Sequence, residues 1–146
     1  VGLLGQQLKG KPCRVRVHAT KVRSAPDGPH GSPTKGLFSY PDVVVICGEP
    51  VYHDEHQGVV LNPTVIVEVL SPATEAFDRG AEFIRLRSWN PSLQHYVLVA
   101  QDAPLMEVYR RIDEAHWCLQ TFEGLTTTAA LAAIDCQLPL AEEEGT

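Results

Sequence analysis

No stretch of this 146-residue chain is long and apolar enough to cross a bilayer. The longest runs, Val43–Cys47 and Val65–Val67 with its continuation past Glu68 to Leu70, fall far short of the roughly 18–20 residues a span needs. Gly-x-x-x-x-Gly-Lys, Gly-x-Gly-x-x-Gly and Gly-x-Ser-x-Gly are all missing, so nucleotide-loop and hydrolase-elbow chemistries have no motif. The four cysteines, Cys13, Cys47, Cys118 and Cys136, form no Cys-x-x-Cys pair, and three sit among apolar or strand-like neighbours. Buried free thiols in a reducing cytoplasm are therefore expected. No charged-then-apolar leader opens the chain, which argues against secretion, and the start at Val1 suggests a missing amino-terminal segment. Trp89, Trp117 and the tyrosines are scattered rather than arrayed as a base-stacking platform. What is present is ordinary globular usage, 44% hydrophobic and 21% charged, which excludes disorder and fibrous classes. Residues 1–146 are expected to form a single domain.

The net charge of −6 is unevenly spread. Lys9, Lys11, Arg14, Arg16, Lys21, Arg23 and Lys35 face a single acid, Asp27, in the first 35 residues, while acids dominate the rest. A basic strip on an acidic body is the footprint of a polyanion partner, or else a solvated strand face.

Leu3, Leu4 and Leu8 share one helical face, and Gly10 followed by Pro12 stops the pattern. Cys13–Arg23 then alternates, with Cys13, Val15, Val17 and Ala19 on one side and Arg14, Arg16, His18 and Thr20 on the other, which predicts a half-buried strand. Ser24–Gly36 is saturated with turn formers and reads as a loop. Val43–Cys47 and Thr64–Leu70 are β-branched and apolar on both faces, hence central strands, with a polar loop over Gly48–Pro63 between them. Phe77, Ala81 and Ile84 predict an amphipathic helix over Glu75–Ser88, closed by Asn90-Pro91. Gln94–Ala100 is a third buried strand, and a strand–helix–strand unit implies a parallel, right-handed crossover. Met106–Ile112 and His116–Phe122 form a peripheral antiparallel hairpin, and Ala132–Leu138 adds a late strand. The fold class is α/β, one mixed domain.

Glu68 interrupts a segment that otherwise reads as sheet interior. A carboxylate there costs several kcal/mol unless a cation, a donor cluster or a proton compensates it. The structural alternative is a Glu paired with Arg79 or Arg85. Asp42 opens the other apolar strand; if the two strands are neighbours, both acids converge on one hard-oxygen site suited to Mg²⁺ or Mn²⁺. His53-Asp54-Glu55-His56 has metal-ligand residue types but lies in a polar loop with no helix to align it.

Tyr40-Pro41-Asp42-Val43-Val44-Val45, Pro63-Thr64-Val65-Ile66-Val67-Glu68-Val69-Leu70-Ser71-Pro72-Ala73-Thr74-Glu75, Asp78-Arg79-Gly80 and Pro91–Val99 together resemble the Uma2 (DUF820) family. These are restriction-endonuclease-like proteins of the PD-(D/E)xK nuclease superfamily. The resemblance implies a restriction-endonuclease-like mixed β-sheet core flanked by helices, and a Mg²⁺-dependent (or Mn²⁺-dependent) DNA endonuclease. Asp42, Glu68 and the main-chain carbonyl of Val69 would hold the metal. Arg14, Arg16, Lys21, Arg23 and Arg79 would meet the nucleic acid. Three departures accompany it. Glu82 stands where relatives carry a helix lysine, so the catalytic set becomes Asp42, Glu68 and Glu82; its structural alternative is a helix-surface acid paired with Arg85. Ala19-Thr20 replaces an acidic position, and an amino-terminal segment is absent.

Three functions follow: a metal-dependent endonuclease acting on DNA in the cytoplasm; a catalytically silent nucleic-acid-binding or oligomerisation module of the same fold; and a small interaction protein whose edge hairpin packs against a second copy. No membrane partner is expected.

Overall fold

β-branched, doubly apolar segments end up where water is excluded from both sides, and here they form the middle of one mixed sheet. The computed structural model describes residues 2–17, 21–23, 38–39, 41–52, 59–73 and 75–140. In chain order these are helix α1 (Gly2–Gln7) and strands β1 (Cys13–Val17), β2 (Lys21–Arg23), β3 (Phe38–Ser39), β4 (Val43–Cys47), β5 (Val59–Val60) and β6 (Val65–Val69). A helical segment follows as α2 (Glu75–Phe77), a π-helical turn (Asp78–Glu82) and α3 (Phe83–Trp89). Strands β7 (His95–Val99), β8 (Leu105–Arg111), β9 (Trp117–Glu123) and β10 (Thr128–Leu131), a 3₁₀ turn (Ala132–Ile134) and β11 (Cys136–Pro139) complete it.

The main sheet has the order β1-β4-β6-β7-β8-β9. Its β6–β7 pair is parallel, joined through the helical segment as the strand–helix–strand pattern requires, and its other pairs are antiparallel. This is the expected α/β mixed sheet. The hairpin β8–β9 extends it at one edge, and β1 forms the other. The continuous strand expected over Cys13–Arg23 is instead divided: β1 pairs with β4, while β2 joins a small sheet with β3 and β5. The expected loop over Gly48–Pro63 yields two residues, Val59 and Val60, to that sheet. Ala19-Thr20, the turn-rich 24–37 segment, His53–His56 and the acidic tail lie outside the described residues.

Period-two alternation gives the sheet two distinct faces. On one, Val43, Val45, Val65, Val67, Val97, Val99, Met106 and Val108 pack under α1 and the β10–β11 hairpin. On the other, Val44, Ile46, Ile66, Leu70, Tyr96 and Leu98 pack against Phe83 and Leu86 of α3. Each such side chain contributes about 1.5–3 kcal/mol by leaving water. Rings close the second face: Phe83 stacks on Tyr96 at 5.2 Å and meets Trp117 edge-on at 5.1 Å. The Arg111 guanidinium lies 4.4 Å from the Trp117 centroid, and its Nε donates to the Leu93 carbonyl at 2.6 Å.

The expectation of free thiols is corrected at two of four positions. The β1–β4 register sets Cys13 opposite Cys47, and a disulfide joins them across a separation of 34 residues. Apolar neighbours reveal burial but not which strand lies alongside, so this partnership was hidden. Cys118 and Cys136 are free. Among the described residues no helix is long and apolar enough to cross a membrane.

Candidate metal centre

β6 enters the sheet as Val-Ile-Val-Glu-Val, and alternation decides where each side chain goes. Ile66 and Leu70 face the helix side, so Glu68 between them does too. It is 7% exposed. Two further carboxylates meet it from the helical segment. Asp78 and Glu82 begin and end the π-helical turn, and both are buried. The i→i+5 hydrogen bonding of such a turn widens the helix, and turns of this kind recur at functional sites. Carboxylate oxygens of Glu68, Asp78 and Glu82 all lie within 4.8 Å of one another.

Three carboxyls this close cannot all be ionised without a cation. Burial pushes Glu68 up to about 10, with Glu82, Asp78 and Asp42 adding repulsion. Burial also pushes Glu82 up to about 7, opposed by a hydrogen bond from Tyr96 and raised further by Asp78. The Tyr96 hydroxyl lies 2.8 Å from Glu82 Oε2 and 2.9 Å from the Asp78 carbonyl. Its single proton serves one acceptor at a time; a protonated Glu82 satisfies both contacts by donating to the tyrosine oxygen. Burial and the neighbouring acids hold the phenol itself far above its ordinary range. Glu68 Oε1 is the group left over: it is buried and has no hydrogen-bond partner.

Asp42 is exposed and stands outside this trio. The ladder pairs Val43 with Val67, so one residue further on Asp42 comes level with Glu68. Asp42 Oδ2 accepts the Val69 N–H at 2.7 Å, which fastens the loop before β4 to the end of β6. Strand adjacency, the condition on which convergence depended, is met. The carboxylates in mutual contact with Glu68, however, come from the helix. In the sequence Asp78 stands out only within Asp78-Arg79-Gly80; its spacing of four from Glu82 is the available signal.

The surface placement of Glu82 and the pairing of Glu68 with Arg79 are corrected. Glu82 is 3% exposed rather than a surface acid. Arg79, offered as a partner for Glu68, instead reaches Glu107 at 2.5 Å and Glu75 at 3.7 Å. Arg85 acts on Glu82 electrostatically, as the smallest of the effects there. Of the basic residues, Arg14 is exposed and Arg16 sits on Tyr52, its guanidinium 5.1 Å from the ring. Both share the sheet face of Glu68, since they pair with Ile46 and Val44. Lys21 is half-buried on β2, and the Arg23 side chain lies outside the described residues.

An all-carboxylate set with a buried, unpartnered oxygen has the chemistry of a hard divalent cation site, so the residues fit Mg²⁺ or Mn²⁺.

Comparison with known proteins follows the same line. Residues 1–141 match the model of Uma2, described as "Putative restriction endonuclease". Two uncharacterized proteins of Synechocystis sp., sll1609 and slr1290, are each 38% identical over 87 residues, 60% of this chain. That match spans 49% and 44% of their lengths, so the chain corresponds to about half of these curated relatives. A crystal structure described as a putative nuclease of DUF820 from Anabaena variabilis superposes with a TM-score of 0.70. It shares 14% identity and covers 99% of this chain and 75% of its own, a likeness of fold.

Proposed function

The chain belongs to the Uma2 family, and from that premise we propose that it is a divalent-metal-dependent nuclease hydrolysing DNA phosphodiester bonds. The observation that carries the reading is the buried, unpartnered Glu68 oxygen within a trio of carboxylates. A site so built is unfavourable as it stands and becomes favourable with a cation. Glu68 and Asp78 would hold Mg²⁺ or Mn²⁺ from the sheet and helix sides, with Asp42 and the Val69 carbonyl at the rim. When bound, the ion supplies neutralisation of phosphate charge and an acidified water.

Glu82 takes the position of the lysine implied by the family resemblance. With its carboxyl near neutrality it can accept or return a proton at working pH, the property a general base requires. Tyr96 holds that carboxyl in place. Arg14 and Arg16, on the same sheet face, would meet the phosphate backbone, with Lys21 and Arg23 extending the strip. Arg79, engaged by Glu107 and Glu75, would act there only indirectly.

A second reading is a silent nucleic-acid-binding module. It is favoured by one observation: the charges acting on Glu68 and Glu82 include no lysine, and Glu82 stands at the helix position where the resemblance implies one. Nicking of supercoiled plasmid with and without Mg²⁺ or Mn²⁺, alongside calorimetric metal titration, separates the two. Metal-dependent nicking lost in Glu68→Gln supports the nuclease. Metal binding and DNA retention without nicking support the silent module, and absence of metal binding rejects the site.

A further inference from the structure

β6 and β7 run parallel, and the crevice beyond the carboxyl ends of such strands is where open α/β sheets take ligands. A cavity of about 470 Å³ lies there, lined by Leu70, Pro72, Ala76 and Ala100 and by the polar groups of Glu75, Gln101 and Asp102. That volume falls in the range of small-molecule sites. Its walls continue the two stretches that build the acid trio. Leu70, just past the end of β6 and two residues after Glu68, packs on the same side of the sheet, and Glu75 is three before Asp78.

The lining selects what can enter. Two carboxylates and no cation disfavour a phosphate inside the cavity. Apolar walls suit a flat ring, and carboxylate and amide oxygens suit its hydrogen-bond donors. Glu and Asp accept well from the exocyclic amine of cytosine. In a duplex one N4–H still faces the major groove, but the ring itself is stacked, so a base whose ring is seated between the cavity walls must be unpaired or turned out of the helix. We propose that this cavity seats one unpaired nucleobase bearing an exocyclic amine, cytosine foremost, beside the phosphodiester handled at the acid trio. The inference rests on the nuclease reading and names its substrate class: single-stranded or locally opened nucleic acid. Glu75 has a half-exposed ion pair with Arg79, a weak commitment that a bound base can share.

The test is binding rather than cleavage. Fluorescence anisotropy, in Ca²⁺, would compare short oligodeoxycytidylate, oligothymidylate and a duplex of the same length, while Mn²⁺ affinity is measured separately by calorimetry. Oligodeoxycytidylate is expected to bind about tenfold tighter than the other two. Ala76→Trp, an exposed position whose ring would fill the cavity, should remove that preference, and Asp102→Asn should weaken it, both with Mn²⁺ affinity unchanged. Equal affinity for all three nucleic acids, or a preference surviving Ala76→Trp with melting temperature retained, overturns the inference. Saturable spermidine binding lost in Asp102→Asn, with oligonucleotide binding unaffected, reassigns the cavity to an amine and also overturns it. Loss of Mn²⁺ binding in the wild type would instead strike the nuclease reading, so the two failures are distinct.

Discussion

The two faces of the central sheet each bury ionisable groups, and they treat them in opposite ways. Under the β10–β11 hairpin, His95 is fully buried, and its Nε2 accepts the Ala133 N–H at 3.1 Å. Burial, with Arg110 close by, holds the imidazole down to about 4, so it is neutral and partly satisfied at ordinary pH. On the helix face the same desolvation acts on Glu68 and Glu82, but their neighbours are each other and Asp78. One face keeps its imidazole neutral, with Nε2 partnered and the buried Nδ1 unpartnered; the other gathers three acids whose mutual repulsion a cation can answer. The first is built for stability, and the second trades stability for a site.

The comparison breaks most visibly at Glu68. Glu68→Gln should lower Mn²⁺ affinity by more than about 100-fold, by calorimetry, while metal-free melting temperature holds or rises. A metal response that survives would remove the contrast. Next in size is the apolar face's covalent tie. Reducing Cys13–Cys47, which closes 34 residues, should cost about 3–4 kcal/mol in denaturant unfolding and leave metal affinity intact. His95→Leu orphans the Ala133 N–H and should cost about 1–3 kcal/mol.

The pH dependence sharpens the same contrast, because the signs differ. Glu68 and Glu82 titrate higher folded than unfolded, so their contribution is fully present below about pH 4.5. In the metal-free protein it is lost as pH rises through 7 toward 10. His95 titrates lower folded than unfolded; its contribution is present above 6.5 and lost as pH falls toward 4. Melting curves should show Glu68→Gln flattening the alkaline limb and His95→Leu the acid limb. Smallest is Tyr96→Phe, about 1 kcal/mol, which also removes a hydrogen bond that lowers the Glu82 pKa.

Glu68 was legible because a charge inside an apolar β-segment is conspicuous in one dimension. The parallel crossover, the hairpin and the helix closed by Asn90 were legible for the same reason: periodicity is local. Asp78 was not. It precedes Arg79 and Gly80 in a stretch that reads as polar helix surface, and only the widened turn brings it inward. The split between β1 and β2 and the facing of Cys13 with Cys47 depend on which strands lie side by side, which no local pattern encodes.

The π-helical turn means that Asp78–Glu82 carries one residue more than an ordinary helical path between the same anchors. Ala81 is its solvent-facing member. Deleting that single alanine would let the segment relax to regular geometry, with Phe83 and Leu86 still seated. Asp78 and Glu82 would then stand three residues apart on an ordinary helical turn, without the widened turn that spaces the two acids. A scaffold of this kind can lose or regain its chemistry through one codon, without rebuilding its interior.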